Sequence, residues 1–381
     1  MTNGNNKKVF VGLSGGVDSS VSAALLKEEG YDVTGVFIKV WQPDWIECSA
    51  TEDRLDAMRV CAHLGIKFTD LDLAEEYKKG VVDYMTREYE RGRTPNPDVM
   101  CNRVVKFGAF WKWAQGQGAD YIATGHYARV RKREFSISNY QFSNNSSNTK
   151  NSNVEDSSVR LLTGVDTSKD QSYFLWTLTQ DDLSHIIFPI GEYEKAEVRK
   201  MAKRFKLPTA EKKDSQGLCF IGKVPMKEFL SHFIKSSAGD VLDSTGKKIG
   251  THPGAVFFTE GQRHGFTIDE KRDDREPLYV SEKDMAQNTI TVVSKKNLDL
   301  GTAEDKKTAQ LENVNWISTP EVGNKEYGVR IRYRQGLQLA TLSKKGDVWV
   351  VNFKENQSSL PAGQSLVVYD GEVCVGGGVV G

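Results

Sequence analysis

A short glycine- and serine-rich segment near the N-terminus constrains the fold of this chain more than any other feature. Residues 14–20, Ser-Gly-Gly-Val-Asp-Ser-Ser, separate an apolar run at 9–13 from a run at 18–29 whose apolar residues recur with helical spacing. A strand that passes through a tight loop into an amphipathic helix is typical of a parallel β-sheet, because parallel strands need a crossover connection in order to pair. We therefore predict that the chain opens with an α/β domain.

The same alternation of strand-like and helix-like runs continues through the first half of the chain. The predicted strands are residues 9–13, 33–40, 67–73 and 121–124, and the predicted helices are residues 18–29, 53–64, 75–91 and 104–117. Strands that alternate with helices in this way form a sheet wrapped by helices. The predicted fold class is α/β, with an N-terminal doubly wound parallel sheet.

The chain changes character after about Gly239, where short alternating strands separated by glycines dominate. Helices are predicted at 194–205 and 225–233, and later strands at 255–259, 289–293, 329–333, 348–353 and 365–369. This pattern favours small β-barrel modules. We predict an α/β domain at 1–208, a small central α+β domain at 209–297 and a C-terminal β-barrel at 298–381.

One segment differs from the rest in composition. Residues 136–158 contain eight serines and six asparagines among 23 residues. Such a segment has too little apolar surface to offset the entropy lost on ordering. We predict a disordered surface insert without a functional role.

Charge and composition exclude several classes of protein. The 51 Lys and Arg residues balance the 51 Asp and Glu residues, so any contact with nucleic acid must come from local patches. The N-terminus has no signal-like apolar run and no stretch approaches about 18 apolar residues, which predicts a cytoplasmic protein without membrane contact. The five cysteines form no C-x-x-C pair, so neither a zinc site nor a disulfide framework is indicated. Cysteine function would be redox or nucleophilic.

The segment at 14–20 has the features of an anion-binding loop. Backbone N–H groups and the dipole at the start of a helix attract phosphate, and the two glycines allow close approach. The serines add hydroxyl donors, while Asp18 would either cap the helix or help to hold a metal ion on the phosphates. The loop is neither a Walker A motif nor a G-x-G-x-x-G motif, so kinase-type hydrolysis and dinucleotide binding are not indicated. The alternative is a turn that only caps a helix.

Two of the five cysteines lie in unusual segments. Cys101 follows Pro-Asn-Pro-Asp-Val-Met at 95–100, which predicts an extended, exposed loop just before a helix, where a thiolate is favoured. Cys219 is preceded by two lysines and flanked by glycines, which predicts a mobile loop. The other three, Cys48, Cys61 and Cys374, are expected to be small buried apolar side chains.

Together the motifs resemble those of the tRNA-specific 2-thiouridylase family, within the ATP pyrophosphatase superfamily, over nearly the whole chain. The segments that carry the resemblance are 12–20, Gly-Arg-Thr-Pro-Asn-Pro-Asp at 92–98 with Cys101-Asn102, Ala-Thr-Gly-His-Tyr at 123–127, Lys-Asp-Gln-Ser at 169–172, the Cys219 segment, Gly-Gln-Arg at 261–263 and Gly-Glu-Val-Cys at 371–374. The chain departs from the family pattern in its serine- and asparagine-rich insert and at Ile38, where methionine is common.

The resemblance implies thiolation of the wobble uridine of tRNAs for Lys, Glu and Gln. A uracil carbonyl is a poor electrophile, so ATP, with Mg²⁺, would first adenylate its C2 oxygen and make AMP the leaving group. Cys219 would carry a persulfide delivered by an upstream sulfur carrier or cysteine desulfurase. Cys101 would attack or protonate that persulfide, and a disulfide between Cys101 and Cys219 would be reduced in each cycle.

The resemblance also assigns contacts. The ATP contacts are Gly12, Leu13, Ser14, Gly15, Gly16, Val17, Asp18, Ser19, Ile38 and Gly125. The tRNA contacts are Asn96, Pro97, Asp98, His126, Lys169, Asp170, Gln171, Arg332, Tyr333 and Gln364. From the residues themselves, Arg330, Arg332 and Arg334 alternate at strand period, which predicts that all three lie on one basic face able to bind phosphate.

Several alternatives remain open at this point. His126 could be a satisfied structural histidine, residues 169–171 a solvated turn, and the arginines an ordinary solvated strand face. For the whole protein, an amide-forming ATP pyrophosphatase that acts on a small metabolite would need neither the cysteine pair nor the basic module. A non-catalytic tRNA-binding protein would not need an intact loop at 14–20.

Overall fold

The computed structural model describes residues 6–45, 50–132, 158–213, 224–269, 276–300 and 307–381, with the side chains of 299 and 300 excepted. Cys48, Cys219 and all but the last residue of the predicted insert at 136–158 lie outside these ranges. In the described part of the chain, no helix is both long and apolar enough to cross a membrane.

The helices and strands follow the chain in this order. The strands are β1 Lys8–Gly12, β2 Asp32–Lys39, β3 Lys67–Asp72, β4 Tyr121–Ala123, β5 Ala128–Lys132, β6 Val159–Thr163, β7 Ile186–Ile187, β8 Gly239–Leu242, β9 Lys248–His252, β10 Thr267–Ile268, β11 Leu278–Asp284, β12 Thr289–Ser294, β13 Thr308–Trp316, β14 Glu326–Arg330, β15 Gln338–Lys345, β16 Val348–Phe353, β17 Ser365–Asp370 and β18 Val373–Val380. The α-helices are α1 Val17–Glu28, α2 Ala50–Leu64, α3 Ala74–Tyr77, α4 Asp83–Glu90, α5 Pro97–Met100, α6 Phe110–Gly116, α7 Gln180–Ser184, α8 Lys195–Arg204, α9 Met226–Ser231 and α10 Lys295–Leu300. Two π-helical segments, Lys78–Val82 and Cys101–Ala109, join α3 to α4 and α5 to α6.

A parallel sheet of strand order β3-β2-β1-β4-β7 forms the first part of the molecule. Its central strand β1 packs against a core on each face. Val9 and Val11 of β1 lie in one core cluster with residues of α1, α2 and α8, while Phe10, between them, packs against a second cluster that includes residues of α4 and α6. This is the arrangement of a doubly wound sheet, so the predicted fold class is confirmed.

The C-terminal part is a closed β-barrel. Its six strands follow the order β13-β16-β15-β14-β17-β18, and pairing between β13 and β18 closes the circle and leaves no free edge within it. The hairpin of β5 and β6 comes from the first part of the chain and adds to β18, where Leu162 pairs with Val373. The barrel predicted at the C-terminus is therefore confirmed, but no pattern in the sequence indicated the added hairpin.

A third, smaller sheet has the order β10-β9-β8-β12-β11 and is mostly antiparallel. Its own cluster of buried side chains includes Val241, Phe258 and Ile290. It lies between the other two parts in the chain, as the prediction of a small central unit requires. The domain boundaries given above stay predictions.

Two predicted strands differ from the structure. Residues 255–259 begin instead with a 3₁₀ turn at Ala255–Phe257, since a short apolar run does not by itself distinguish a strand from a buried turn. The strand predicted at 329–333 ends at Arg330, where the Gln335 side chain accepts hydrogen bonds from the backbone N–H groups of Ile331 and Arg332 in place of a neighbouring strand. Arg334 has a φ of 64°, so the chain turns and the single arginine face is wrong.

A buried ion pair joins the first part of the chain to the barrel. Asp170 Oδ2 lies 3.0 Å from Arg330 Nη1, and the two side chains are 2% and 16% exposed. Asp170 Oδ1 also accepts hydrogen bonds from the backbone N–H groups of Gly164 and Ser172. The Asp170 carboxylate thus binds both the chain around it, at 164–172, and Arg330 of the barrel, and so it holds these two parts of the molecule together.

We expect Asp170→Asn to lower the free energy of unfolding by about 3 kcal/mol, because it leaves the Arg330 charge buried without a partner. Urea unfolding followed by circular dichroism measures this loss. Asp347→Asn is the control, since Asp347 forms a 4.0 Å contact with Lys344 in full exposure and its loss should leave the midpoint unchanged. An unchanged midpoint for the Asp170 variant would contradict the role of the pair.

Candidate active site

The loop between β1 and α1 depends on a glycine with left-handed backbone. Gly15 has a φ of 70°, and a Cβ atom there would lie 2.4 Å from the backbone oxygen of Asp53. Gly16 then caps α1, and its carbonyl accepts a 2.6 Å hydrogen bond from Ser20 Oγ. Only glycine combines this φ with this close contact, so the loop conformation is encoded by the sequence. The first N–H groups of α1 have no partner within the helix and can bind an anion.

The residues predicted to contact ATP converge on this loop. Gly12 lies beside Ile38, since a Cβ on Gly12 would be 3.7 Å from Ile38 Cδ1. A Cβ on Gly125 would be 2.7 Å from the backbone nitrogen of Ser19. Gly12 and Ile38 lie on β1 and β2, and Gly125 follows β4, so these positions meet at the carboxyl ends of neighbouring parallel strands. That edge is where doubly wound sheets bind ligands.

Asp18 does not cap α1. Its carboxylate instead accepts hydrogen bonds from Lys195 Nζ at 2.7 and 2.9 Å and from the Tyr127 hydroxyl at 3.0 Å. The sequence analysis did not single out Lys195, which is 177 residues from Asp18 in the chain. The predicted helix at 194–205 placed this lysine at a helix start, but nothing in the local pattern indicated which helix end faces the loop.

Lys212 ties the chain just before the Cys219 segment to α2. Its ammonium lies 2.8 Å from Asp53 and 2.7 Å from Asp56. Burial raises the pKa of Asp56, but hydrogen bonds from Lys212 and Arg59 outweigh it and hold the pKa below its ordinary value. Since the backbone of Asp53 also borders Gly15, α2 links the loop to the chain that leads toward Cys219.

Cys101 is not in the exposed loop that was predicted. Asn96 is the N-cap and accepts a hydrogen bond from the Val99 N–H at 3.2 Å, and Pro97 occupies the first turn. The helix therefore starts before Cys101 and continues through the π-helical segment into α6, which leaves the thiol 3% exposed. Asn followed by Pro is a helix-start signal that could have predicted this.

Asp98 is half-buried and His126 is buried. Burial raises the pKa of Asp98, with Lys106 acting in the opposite direction. His126 is 6% exposed, its Nδ1 is 2.7 Å from Thr124 Oγ1, and burial lowers its pKa well below the ordinary value. The imidazole packs against Phe107 and Phe188, with ring centroids 5.7 and 5.9 Å away. This setting fits a structural histidine, and contact with substrate stays a prediction.

Two of the predicted tRNA contacts at 169–171 are occupied within the fold. Asp170 pairs with Arg330 as described and is 3% exposed, and its contact with tRNA stays a prediction. Gln171 Oε1 accepts a 3.0 Å hydrogen bond from the Tyr127 N–H, which holds this turn against the end of β4. Lys169 is exposed.

Lys169 and Tyr333 line the same cleft, which has a volume of about 480 Å³. Arg330 and Arg334 also line it, so the cleft carries three basic side chains. The Arg334 guanidinium lies 5.1 Å from the centre of the Tyr333 ring. Basic groups beside an aromatic face suit a nucleic acid, because they bind phosphate while the ring can stack on a base.

The remaining predicted tRNA contacts meet where the three parts of the chain touch. Gln364 Nε2 donates to the Thr94 carbonyl at 2.7 Å, two residues before Asn96. Arg332 donates to the Glu260 carbonyl at 2.8 Å and to Ser359 Oγ at 3.0 Å. The structure thus brings Asn96, Gln364 and Arg332 to one junction, with hydrogen bonds of their own to the protein.

Comparison with protein families covers almost all of the chain. Residues 7–223 match the family described as tRNA methyl transferase HUP domain, residues 227–294 the tRNA methyl transferase PRC-barrel domain, and residues 306–380 the aminomethyltransferase beta-barrel domain. The three matches follow the parallel sheet, the small central sheet and the closed barrel in order.

Curated relatives match over their full length. The tRNA-specific 2-thiouridylase MnmA of Francisella tularensis subsp. novicida is 43% identical over 98% of this chain and 99% of its own, and that of Francisella philomiragia is 41% identical over the same shares. Among solved structures, the U34-tRNA thiolase NcsA of Methanococcus maripaludis has a TM-score of 0.35 and 18% identity, and covers 57% of this chain and 62% of its own. The full-length identity to these relatives establishes that the chain belongs to the tRNA-specific 2-thiouridylase family.

Proposed function

We propose that this enzyme makes 2-thiouridine at the wobble uridine of tRNAs for Lys, Glu and Gln in the cytoplasm. It would adenylate the C2 oxygen with ATP and then transfer sulfur from a cysteine persulfide, releasing AMP and pyrophosphate. The observation that carries the proposal is the contact between the end of β1, which leads into the anion-binding loop, and the helix that continues from Cys101. Phe110, the first residue of α6, lies 3.6 Å from a Cβ placed on Gly12, the last residue of β1.

The residues around the loop fit ATP. The loop, turned by the left-handed backbone of Gly15, and the N-terminus of α1 would form the phosphate site, and Gly12, Ile38 and Gly125 would lie around it. The described residues include no group of three or more His, Cys, Asp or Glu side chains able to hold a metal ion. Mg²⁺ would therefore be held by Asp18 together with the phosphates, as Mg²⁺ in nucleotide sites commonly is.

Sulfur transfer requires two thiols because the persulfide sulfur must leave Cys219. In one version, the Cys101 thiolate attacks the sulfur of Cys219, hydrosulfide leaves, and a disulfide joins the two cysteines. Hydrosulfide then displaces AMP from C2, and an external thiol reductant supplies the two electrons that reopen the disulfide. In the other version, Cys101 first acts as an acid toward the persulfide, whose terminal sulfur attacks C2 and displaces AMP. The Cys101 thiolate then attacks the Cys219 sulfur, which releases 2-thiouridine and forms the same disulfide. Because Cys101 is 3% exposed, both versions require the Cys219 segment to come into contact with the helix that carries Cys101.

The tRNA-binding surface would include the cleft of Lys169, Tyr333 and Arg334. An enzyme that forms an amide on a small metabolite has no use for this cleft, and the full-length relatives are thiouridylases. The amide-forming alternative is therefore not favoured.

Asp18→Asn should abolish ATP cleavage, because it removes the carboxylate at the phosphate-bearing helix start. Pyrophosphate release in the presence of tRNA measures this. Asp32→Asn is the control, since Asp32 is exposed at the opposite, amino end of β2 and should leave the rate unchanged. Undiminished pyrophosphate release from the Asp18 variant would contradict the assignment.

Cys101→Ser and Cys219→Ser should each stop 2-thiouridine formation from a persulfide donor while adenylated tRNA still forms. An alcohol can neither hold the transferable sulfur nor attack it. Cys61→Ala is the control, because burial raises the pKa of Cys61 to about 11 and keeps this thiol protonated near neutral pH. Nucleoside analysis by mass spectrometry gives the readout, and a wild-type rate in either serine variant would refute the two-cysteine route.

Replacing Lys169 and Arg334 together by alanine should weaken tRNA binding and reduce the slope of log affinity against log salt by about 2, since two phosphate contacts are lost. Binding of ATP should be spared. Lys67→Ala is the control, because Lys67 is exposed at the amino end of β3. Equal tRNA affinity and an equal salt slope for the double variant would remove the cleft from the interface.

A further inference from the structure

We propose that Lys195 is a phosphate-binding residue of the ATP site, in addition to being the partner of Asp18. The inference rests on the proposed function only in taking the loop at 14–20 as the place where ATP binds. The lysine comes from α8, a helix that the loop motif does not include. Its ammonium reaches the start of α1, where an anion would lie.

The position of Lys195 is fixed by packing. Val198 and Ala202 of α8 are fully buried in the same cluster as Val17 and Val21 of α1, so the two helices are held side by side. Lys195 is the first residue of α8, and its backbone N–H donates to Asp166 Oδ2 at 3.0 Å. Because α8 is fixed against α1, the backbone of Lys195 does not have to move for its side chain to bind a ligand at the loop.

The loop itself contributes no cation, so any positive charge on the phosphates other than Mg²⁺ must come from another element. Residues 13–20 contain no Lys or Arg, and their one charged residue is Asp18. ATP phosphates placed at the α1 N-terminus would meet that carboxylate and be repelled unless a positive charge lies between them or beside them. Lys195, whose side chain is 14% exposed, contacts both carboxylate oxygens of Asp18 and supplies that charge.

The ammonium group suits this double task. It carries three hydrogen-bond donors on a flexible stem, so it can turn from the carboxylate toward a phosphate oxygen without movement of α8. The Tyr127 hydroxyl, 3.0 Å from Asp18 Oδ1, keeps the carboxylate in place when the lysine turns. The competing explanation is that Lys195 only neutralises Asp18 and never meets ATP.

A double-mutant cycle separates these explanations. ATP affinity is measured by calorimetry, with and without Mg²⁺, for wild type, Lys195→Met, Asp18→Asn and the double variant. If Lys195 binds phosphate, Lys195→Met lowers affinity by about tenfold both in the wild type and in the Asp18→Asn background, the size expected for one charge-assisted hydrogen bond. If Lys195 only neutralises Asp18, the lysine substitution has no effect once Asp18 is Asn, and the proposal is overturned.

Two further variants make the result decisive. Lys200→Met changes an exposed lysine of the same helix and should leave ATP affinity unchanged. Lys195→Arg keeps the charge and should recover most of the affinity. If Lys195→Met fails to fold because it leaves Asp18 unpaired, the double variant removes both charges. Its ATP affinity, compared with that of Asp18→Asn, still shows whether Lys195 binds phosphate.

The experiment also separates this inference from the proposed function. ATP binding is measured without tRNA or a sulfur donor, so failure of the wild type to make 2-thiouridine would overturn the function and leave Lys195 in place. Conversely, the wild type could make 2-thiouridine while the Asp18→Asn variant and the double variant bind ATP equally well. That result would leave the proposed function in place and overturn the role of Lys195 in phosphate binding.

Discussion

Backbone contact without an intervening side chain shapes the candidate active site. The loop after β1 is bordered by the backbone of Asp53 on one side and by the chain after β4 on the other, at distances that would place a Cβ on Gly15 or Gly125 within 3 Å of main-chain atoms. Glycine is required at both positions, since any larger residue would push α2 or β4 away. These close backbone contacts hold the loop in a conformation in which the first N–H groups of α1 can face a ligand.

The charged groups at the site depend on that arrangement. Asp18 lies at the start of α1 and draws Lys195 from α8 and Tyr127 from the chain after β4, so three elements meet on one carboxylate. On the other side of the loop, Lys212 holds Asp53 and Asp56 of α2. The candidate phosphate site and the chain that leads to the Cys219 segment therefore share helix α2, as the proposed succession of adenylation and sulfur transfer requires.

The barrel is attached to this site by polar contacts at two places. Asp170 and Arg330 form a buried pair, and Gln364 binds the carbonyl of Thr94 just before the helix of Cys101. Buried polar groups of this kind cost free energy unless every partner is present, so they favour one relative position of the sheet and the barrel. The cleft of Lys169, Tyr333 and Arg334 exists because that position is fixed.

Local signals in the sequence were sufficient for four of the five strands of the parallel sheet, most of the helices around it and the glycine loop, because periodicity and turn residues act over a few neighbours. The two-residue strand β7 was too short to leave such a signal. The expected ATP contacts Gly12, Ile38 and Gly125 came from the family resemblance, and the structure places them at the edge of the parallel sheet. The exposed loop predicted around Cys101 is wrong, although the helix-start signal Asn96-Pro97 is visible in the sequence. Pro97 begins a helix there, because proline is favoured in the first turn.

Only the tertiary structure decided which charges meet. Lys195 and Asp18 are 177 residues apart, and Arg330 and Asp170 are 160 apart, so no local pattern could pair them. The same holds for the arginines at 330–334, whose even spacing suggested a strand face until the Gln335 side chain ended the strand and turned the chain. Spacing along a sequence fixes the direction of a side chain only while the backbone stays regular, and the partner of a buried charge is set by the packing of elements distant in the chain.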